Sequence, residues 1–331
     1  MSTNSVDSPE TILYPWQQAL WKTLTHRFPN LGHGLLFYGK SGCGKHTFVE
    51  QFVAWVLCSN KQHDSACGQC SSCVWLKSDT HPNYVYVSTD EDNKKHNAKI
   101  KIEKIRDLLP FVQQTVDGWR VIVIDPAEAL NIASSNALLK TLEEPGERVM
   151  IILIAEHFLK LPATIRSRMQ HFAVDRIDQT VAKHYLQTQI AIDQQQNIDL
   201  LLGLANQMPL KAIELLNSPW FAQRQNFVND WQKLVSNKNM PMMLATKWNK
   251  ELNIVDFLQM FEYLLTDILA FKMQQWVKNS DIDLTALAEQ YRLEDLFSLY
   301  DQLTEAKQLL QQNVQSNLIL DELFVTLMNV S

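Results

Sequence analysis

The chain has 331 residues, of which 46% are hydrophobic and 20% charged, with a formal net charge of −6. That composition supplies two or three packed cores and excludes a disordered tail; the acidic balance excludes a general DNA-coating protein but leaves room for a local basic surface. No apolar run is longer than Val149 to Ala155, which is far short of the roughly 20 residues that cross a bilayer, and no charged start with an apolar stretch behind it suggests a secretory signal, so the expectation is a soluble, cytoplasmic protein.

Glycine placement divides the chain. Of nine glycines, five fall at positions 32, 34, 39, 42 and 44, and only Gly203 lies beyond Gly146. The first half therefore needs special backbone geometry in one place. The glycine-poor second half, rich in Leu, Gln and Ala, reads as packed helices.

In chain order, Leu35–Tyr38 reads as a short strand, followed by a glycine loop and a helix from about His46 to Leu57. Tyr84–Ser88 is a second strand. Within Ile100–Gln113, Ile102, Ile105, Leu108 and Leu109 recur at helical spacing. Val121–Ile124 is a continuous β-branched run, as a strand buried on both faces requires. Leu130–Leu142 reads as a helix that stops at Glu144-Pro145, Val149–Ile154 as another buried strand, and His171–Val174 as the last. Solid apolar strands alternating with helices imply a parallel sheet covered by helices. After about Asp175 no strand pattern remains: residues 176–216 read as three short helices, Asn217-Ser218-Pro219 as a linker or helix start, and Trp220 onward as five or six helices, among them Ile254–Gln275 and Leu293–Leu310. Trp16, Trp21 and Trp55 read as core or interface packing. Lys94-Lys95 with Lys99 and Lys101 reads as a solvated loop rather than a DNA contact.

The string Gly39-Lys40-Ser41-Gly42-Cys43-Gly44-Lys45-His46 follows the first strand and opens the first helix. It nearly matches G-x-x-x-x-G-K-[ST], in which glycines let backbone N–H groups wrap a phosphate and the lysine places charge on its oxygens. The residue after the lysine should carry a hydroxyl for Mg²⁺. Here it is His46, and a neutral imidazole is a poor ligand for a hard cation. Thr47 is one residue on, about 100° around the helix, and does not simply substitute. The context supports a phosphate-loop fold and leaves open whether nucleotide binds or the loop is kept for its shape alone.

Asp125 ends the Val121–Ile124 strand, where a phosphate-loop ATPase holds Mg²⁺ through water. It equally suits a helix cap at a strand end. Pro126 stands where such ATPases carry a catalytic glutamate, and Glu128 lies three positions from Asp125.

Four of the five cysteines cluster: Cys67, Cys70 and Cys73 form C-x-x-C-x-x-C, and Cys58 lies nine positions upstream. Four thiolates in so short a segment close a tetrahedral Zn²⁺ site. An iron–sulfur cluster is the rival, but its run continues x3-Cys-Pro, whereas Val74-Trp75-Leu76 follow Cys73. The segment holds few apolar residues, so a metal would replace a core. Few Lys or Arg flank it, which disfavours a nucleic-acid-reading finger.

These pieces, together with Asn136-Ala-Leu-Leu-Lys-Thr-Leu-Glu-Glu-Pro145 and Leu161-Pro-Ala-Thr-Ile-Arg-Ser-Arg168, resemble the bacterial clamp-loader AAA+ family over residues 14 to about 172. His81-Pro82 and Ile102-Glu-Lys-Ile-Arg106 belong to the same pattern. The resemblance implies an α/β front, an AAA+ parallel sheet with phosphate-loop topology and an inserted zinc module, followed by an all-α lid and an all-α collar. The corresponding boundaries are 1–174 with the zinc module at 58–80, then 175–216, then 217–331. It also implies partners: motor ATPase subunits and a delta-type subunit in a five-membered ring, with the sliding clamp and primed DNA reached through the complex, inside the DNA polymerase III holoenzyme. No membrane is implied.

Motor members of that family hydrolyse ATP. By the same resemblance this chain departs from them at His46, at Pro126, at the sensor threonine (Ala155 or Glu156) and at the lid arginine, where Leu210 falls with Lys211 one position off. Hydrolysis is therefore not expected. Gly39, Gly42, Gly44 and Lys45 are retained beside Asp125, which leaves ATP binding open. Members with Ser-Arg-Cys after the fourth strand project the arginine into a neighbour's ATP site; Ser167-Arg168-Met169 keeps the arginine, so the resemblance implies an arginine finger at Arg168, set against a plain surface arginine. The expected function is a non-hydrolysing scaffold subunit. The alternatives are an active motor-type ATPase and a stand-alone zinc- and DNA-binding protein.

Overall fold

The computed structural model describes residues 13–62, 64–89, 99–114, 116–237, 241–312 and 314–329. Lys94 and Lys95 lie outside the described residues. The chain divides into two compact units, with the division between Tyr185 and Leu186.

In the first unit the elements run α1 (Gln18–Arg27), β1 (Gly34–Tyr38), α2 (Lys45–Leu57), α3 (Ser71–Lys77), β2 (Tyr84–Val87), α4 (Ile102–Arg106), α5 (Leu108–Gln113), β3 (Arg120–Ile124), α6 (Ile132–Glu143), β4 (Val149–Ala155), α7 (Ala163–Arg166) and β5 (Gln170–Ala173), followed by α8 (Gln179–Gln189). The strands form one five-stranded sheet in the order β2-β3-β4-β1-β5, with every pairing parallel. Each residue of β3 and β4 is buried, as their unbroken apolar runs require of central parallel strands. This is the α/β front implied by the resemblance.

Register levels the strand ends at the site. Tyr38 lies opposite both Ala155 and Ala173, and Val87 opposite Ile124. The strands thus end nearly level. The residues that follow them, Gly39, Asp125, Glu156 and Asp175, collect along one end of the sheet, where open α/β folds bind ligands.

Two local departures from the sequence pattern have physical causes. The helix expected over 100–113 is two short helices broken at Asp107. Pro110 has no N–H to return to the Arg106 carbonyl, so a continuous helix would lose that bond, while proline in the first turn of a new helix loses nothing. Helix α6 starts at Ile132 rather than Leu130, because the Asn131 side chain accepts from the Ser134 amide at 2.8 Å and caps it.

In the second unit the elements are α9 (Ile198–Leu204), α10 (Pro209–Leu216), α11 (Arg224–Asn237), α12 (Pro241–Glu251), α13 (Ile254–Lys272), α14 (Thr285–Gln290), α15 (Leu293–Gln311) and α16 (Ser316–Asn329). Among the described residues it contains no strand. Phe227, Trp231, Trp248, Phe257, Phe261 and Phe324 are fully buried together. Within this core the Trp231 indole donates to the Tyr291 hydroxyl at 2.8 Å, and that hydroxyl donates to the Leu327 carbonyl at 2.9 Å. Among the described residues, no helix is long and apolar enough to cross a membrane.

Candidate functional site

The glycine loop joins β1 to α2. Gly42 and Gly44 have φ of 82° and 81°, a left-handed conformation that glycine adopts without steric cost. A Cβ at Gly44 would lie 2.6 Å from the Tyr14 ring, so the segment before α1 packs directly onto the loop. Trp16 Nε1 donates to the Cys43 carbonyl at 2.9 Å, and Gln17 Nε2 donates to the Gly44 carbonyl at 2.9 Å. Tyr14 stacks on Trp16, and both meet the edge or face of Tyr185 in α8. Trp16 is therefore a packing residue, as are the buried Trp21 and Trp55. Lys45 is only 5% exposed.

Two backbone amides at the start of the loop have partners from the chain itself. The Lys40 N–H donates to Asp175 Oδ2 at 3.2 Å, and the Ser41 N–H donates to Glu156 Oε1 at 3.1 Å. Glu156 is itself held by Glu128, whose Oε1 accepts from the Glu156 amide at 2.6 Å and from the His157 amide. Two carboxylates thus stand beside the loop, and each adds negative charge that repels a nucleotide's phosphates.

Asp125 is 7% exposed, and its Oδ2 serves two side chains. His46 Nδ1 lies 2.8 Å away and the Tyr86 hydroxyl donates to the same oxygen at 2.9 Å. The imidazole that replaces the expected hydroxyl is therefore turned onto the acidic residue. The structure brings Asp125 to His46 and Tyr86. The same three residues line a cavity of ≈ 790 Å³ together with Tyr84, Glu50 and Asp79. Burial, reinforced by the Asp125 charge, pushes the Tyr86 phenol up, and burial with the Glu50 charge pushes Tyr84 up to about 12.

Arg168 follows α7, at the edge of the same unit. Its Nε and NH2 lie 3.0 and 2.7 Å from Glu143 Oε1, and NH1 donates to the Thr164 carbonyl at 3.0 Å. Neighbouring Arg166 differs: its Nε donates to the Leu161 carbonyl and its guanidinium lies over the Phe158 ring.

The four clustered cysteines meet in space. Sγ separations are 3.6 Å for Cys58–Cys67, 3.8 Å for Cys58–Cys70, 4.0 Å for Cys67–Cys73 and 3.5 Å for Cys70–Cys73, and all four lie within 4.8 Å of one another. A tetrahedral ion with metal–sulfur bonds near 2.3 Å requires sulfur–sulfur edges of about 3.8 Å, so this donor set fits a four-thiolate ion. The Cys67 amide donates to Cys58 Sγ and the Cys70 amide to Cys67 Sγ, both at 3.3 Å; these bonds orient the sulfurs. With four protein donors the site is closed, which is the structural rather than the catalytic pattern. Cys43, the fifth, is buried within the glycine loop.

Glu156, Asp175 and Tyr86 act here in ways the sequence alone did not reveal. Each stands at or beside a strand end, but only the strand order puts β4 and β5 on either side of β1 and so brings Glu156 and Asp175 to the loop.

A sequence profile of the family described as DNA polymerase III, delta subunit, matches residues 16–178, and a profile of its C-terminal part matches residues 218–327. DNA polymerase III subunit delta′ of Pseudomonas aeruginosa is 34% identical over 239 residues, covering 72% of this chain and 71% of that protein. The Haemophilus influenzae protein of the same name is 30% identical over 272 residues, covering 80% and 79%. Among solved structures, a DNA polymerase III, gamma subunit-related protein from Thermotoga maritima aligns with a TM-score of 0.47 at 14% identity, over 95% of this chain and 99% of that one.

Proposed function

The chain belongs to the DNA polymerase III delta-subunit family, and from that premise we propose that it is a non-hydrolysing scaffold subunit of the replication clamp loader. It helps place the sliding clamp on primed DNA within the DNA polymerase III holoenzyme, in the cytoplasm. Its partners are motor ATPase subunits and a delta-type subunit in a five-membered ring. The holoenzyme performs nucleotidyl transfer; this chain turns over no substrate of its own. It is organised as a core over 1–174 carrying a zinc module at 58–80, a lid over 175–216 and a collar over 217–331.

The observation that carries the inert reading is the pair of hydrogen bonds from Lys40 and Ser41 to Asp175 and Glu156. They set two carboxylates against the loop, and that negative charge opposes a nucleotide's phosphates. Three further features agree with it. His46 is engaged with Asp125 instead of offering a hydroxyl to Mg²⁺. Pro126 has no acid–base chemistry with which to activate water. Neither Ala155 nor Glu156 offers the hydroxyl that a motor subunit has at its sensor threonine.

The chain acts on its neighbour's chemistry through Arg168. A guanidinium offered to a transferring phosphoryl group neutralises developing charge and is worth about 10³–10⁵ in rate. Cys58, Cys67, Cys70 and Cys73 hold structural Zn²⁺, which supplies folding energy to a segment with little apolar core.

The test is ATP turnover by the complete loader on clamp and primed DNA. The Arg168→Ala chain should assemble normally and lower turnover by at least tenfold. The Lys45→Ala chain should leave turnover unchanged. Loss of Mg²⁺-dependent hydrolysis with Lys45→Ala would instead identify an active motor subunit. Tight, salt-sensitive DNA binding by the isolated chain would identify a stand-alone DNA-binding protein.

A further inference from the structure

We infer that Glu143 is a positioning residue for Arg168. The inference rests on the trans role proposed for Arg168 above and adds to it the group that aims the guanidinium.

Two helices fix Arg168 from different sides. Its backbone is held by α7, where its amide donates to the Ile165 carbonyl at 3.1 Å, and it packs close against β1, its carbonyl lying 3.2 Å from where a Cβ at Gly34 would stand. Its side chain is held by α6. Glu143 is the last residue of that helix, and the residue before it, Leu142, is 1% exposed, with its carbonyl 2.7 Å from His33 Nε2. The end of α6 is therefore anchored in the core, and the Glu143 carboxylate stands on a fixed base.

A guanidinium has five N–H donors in a planar fork. Here Nε and one end of the fork face Glu143 Oε1, and NH1 faces the Thr164 carbonyl. The same NH1 lies 3.5 Å from Ser167 Oγ. The arginine side chain is 37% exposed and that of Glu143 is 53% exposed, so the guanidinium can be reached from outside the chain while Glu143 holds it. Glu143 takes Nε and NH2 on a single oxygen, and the fork has further donors with which to meet a phosphoryl group on a neighbouring subunit. An arginine already held in one rotamer also loses less freedom when its partner arrives.

A double-mutant cycle in the complete loader, with clamp and primed DNA, separates positioning from any other role. Glu143→Ala should lower kcat by about threefold to tenfold, within the range of couplings between contacting residues, with KM for ATP unchanged. Glu143→Gln should recover part of the loss, because the amide oxygen still accepts from Nε. In the Arg168→Ala background, Glu143→Ala should have no further effect. Thermal melts of each variant chain show whether it is folded, and Glu143→Gln serves if Glu143→Ala is not. An equal drop in both backgrounds, or no drop in the Arg168 chain, overturns the inference while leaving the Arg168 role intact. Unchanged turnover with Arg168→Ala alone overturns the trans role, and the positioning role with it.

Discussion

The Ser41 amide donates to the Glu156 carboxylate across 3.1 Å, joining two residues that lie 115 positions apart in the chain. Together with the bond from Lys40 to Asp175, it gives the glycine loop two anionic partners from the chain itself. Hydrogen bonds to a charged acceptor contribute about 1.5–3 kcal/mol, and an incoming phosphate must overcome the repulsion of both carboxylates. The wild-type chain is expected to retain no ATP or ADP in isothermal titration. The Glu156→Thr, Asp175→Asn chain is expected to gain at least about tenfold in affinity, the equivalent of one such bond. Equal weakness of both chains would refute this account of the loop.

Metal content gives a second check. Cys58, Cys67, Cys70 and Cys73 should bring one zinc per purified chain, measured by atomic emission, with none of the visible absorption of an iron–sulfur cluster. Cys73→Ser should lose the metal and raise hydrogen exchange across residues 58–78, with little change in β3 and β4. The apparent Tm should fall by about 2–4 °C for each kcal/mol lost. Iron at two or more atoms per chain would replace the zinc assignment.

In the helical unit, Tyr291 is a relay between an indole N–H and a helix carbonyl. Tyr291→Phe keeps the ring and strands both partners in a core that excludes water. The expected cost is about 1–3 kcal/mol, read from urea unfolding. An unchanged urea midpoint would mean that water reaches both groups.

Alkaline pH should weaken the first unit through Tyr84. Burial, then the nearby Glu50 charge, raises its phenol from 10.0 to about 12. The folded state therefore keeps its proton at a pH where the unfolded state gives it up. The tyrosine makes no pH-dependent difference below about pH 10, and stability falls as pH rises from there through about 12. Tyr84→Phe should flatten that part of the stability curve, followed by urea midpoints between pH 9 and 12. An unaltered slope would refute this account.

How far the sequence reached depends on the range of the interaction. Val121–Ile124 and Val149–Ile154 were legible as buried parallel strands because each carries its whole signal in one run. The cysteine quartet was legible because its four ligands lie within 16 positions, and spacing alone constrains where the sulfurs can go. His46 and Pro126 were legible as missing chemistry, since each occupies a position with a known demand. The partner His46 takes instead was not legible: Asp125 is 79 positions away. The same holds for Arg168, whose tie to Glu143 depends on where α6 ends relative to α7. The break at Asp107 was missed for a different reason. The apolar spacing of Ile102, Ile105 and Leu108 continues smoothly through it, and only Pro110 marks the interruption.

Gly34 reads in the sequence as nothing more than the start of an apolar strand. In the fold, a single methyl group there would stand 2.7 Å from the Met169 sulfur as well as against the Arg168 carbonyl. A side chain there requires Met169 to shift or to shrink. Mutational drift at this site cannot proceed one step at a time: a larger residue at 34 becomes tolerable only after Met169 has changed to something smaller. A buried methionine can in this way constrain a residue 135 positions before it in the chain, and a substitution that is harmful alone would be acceptable as half of a pair.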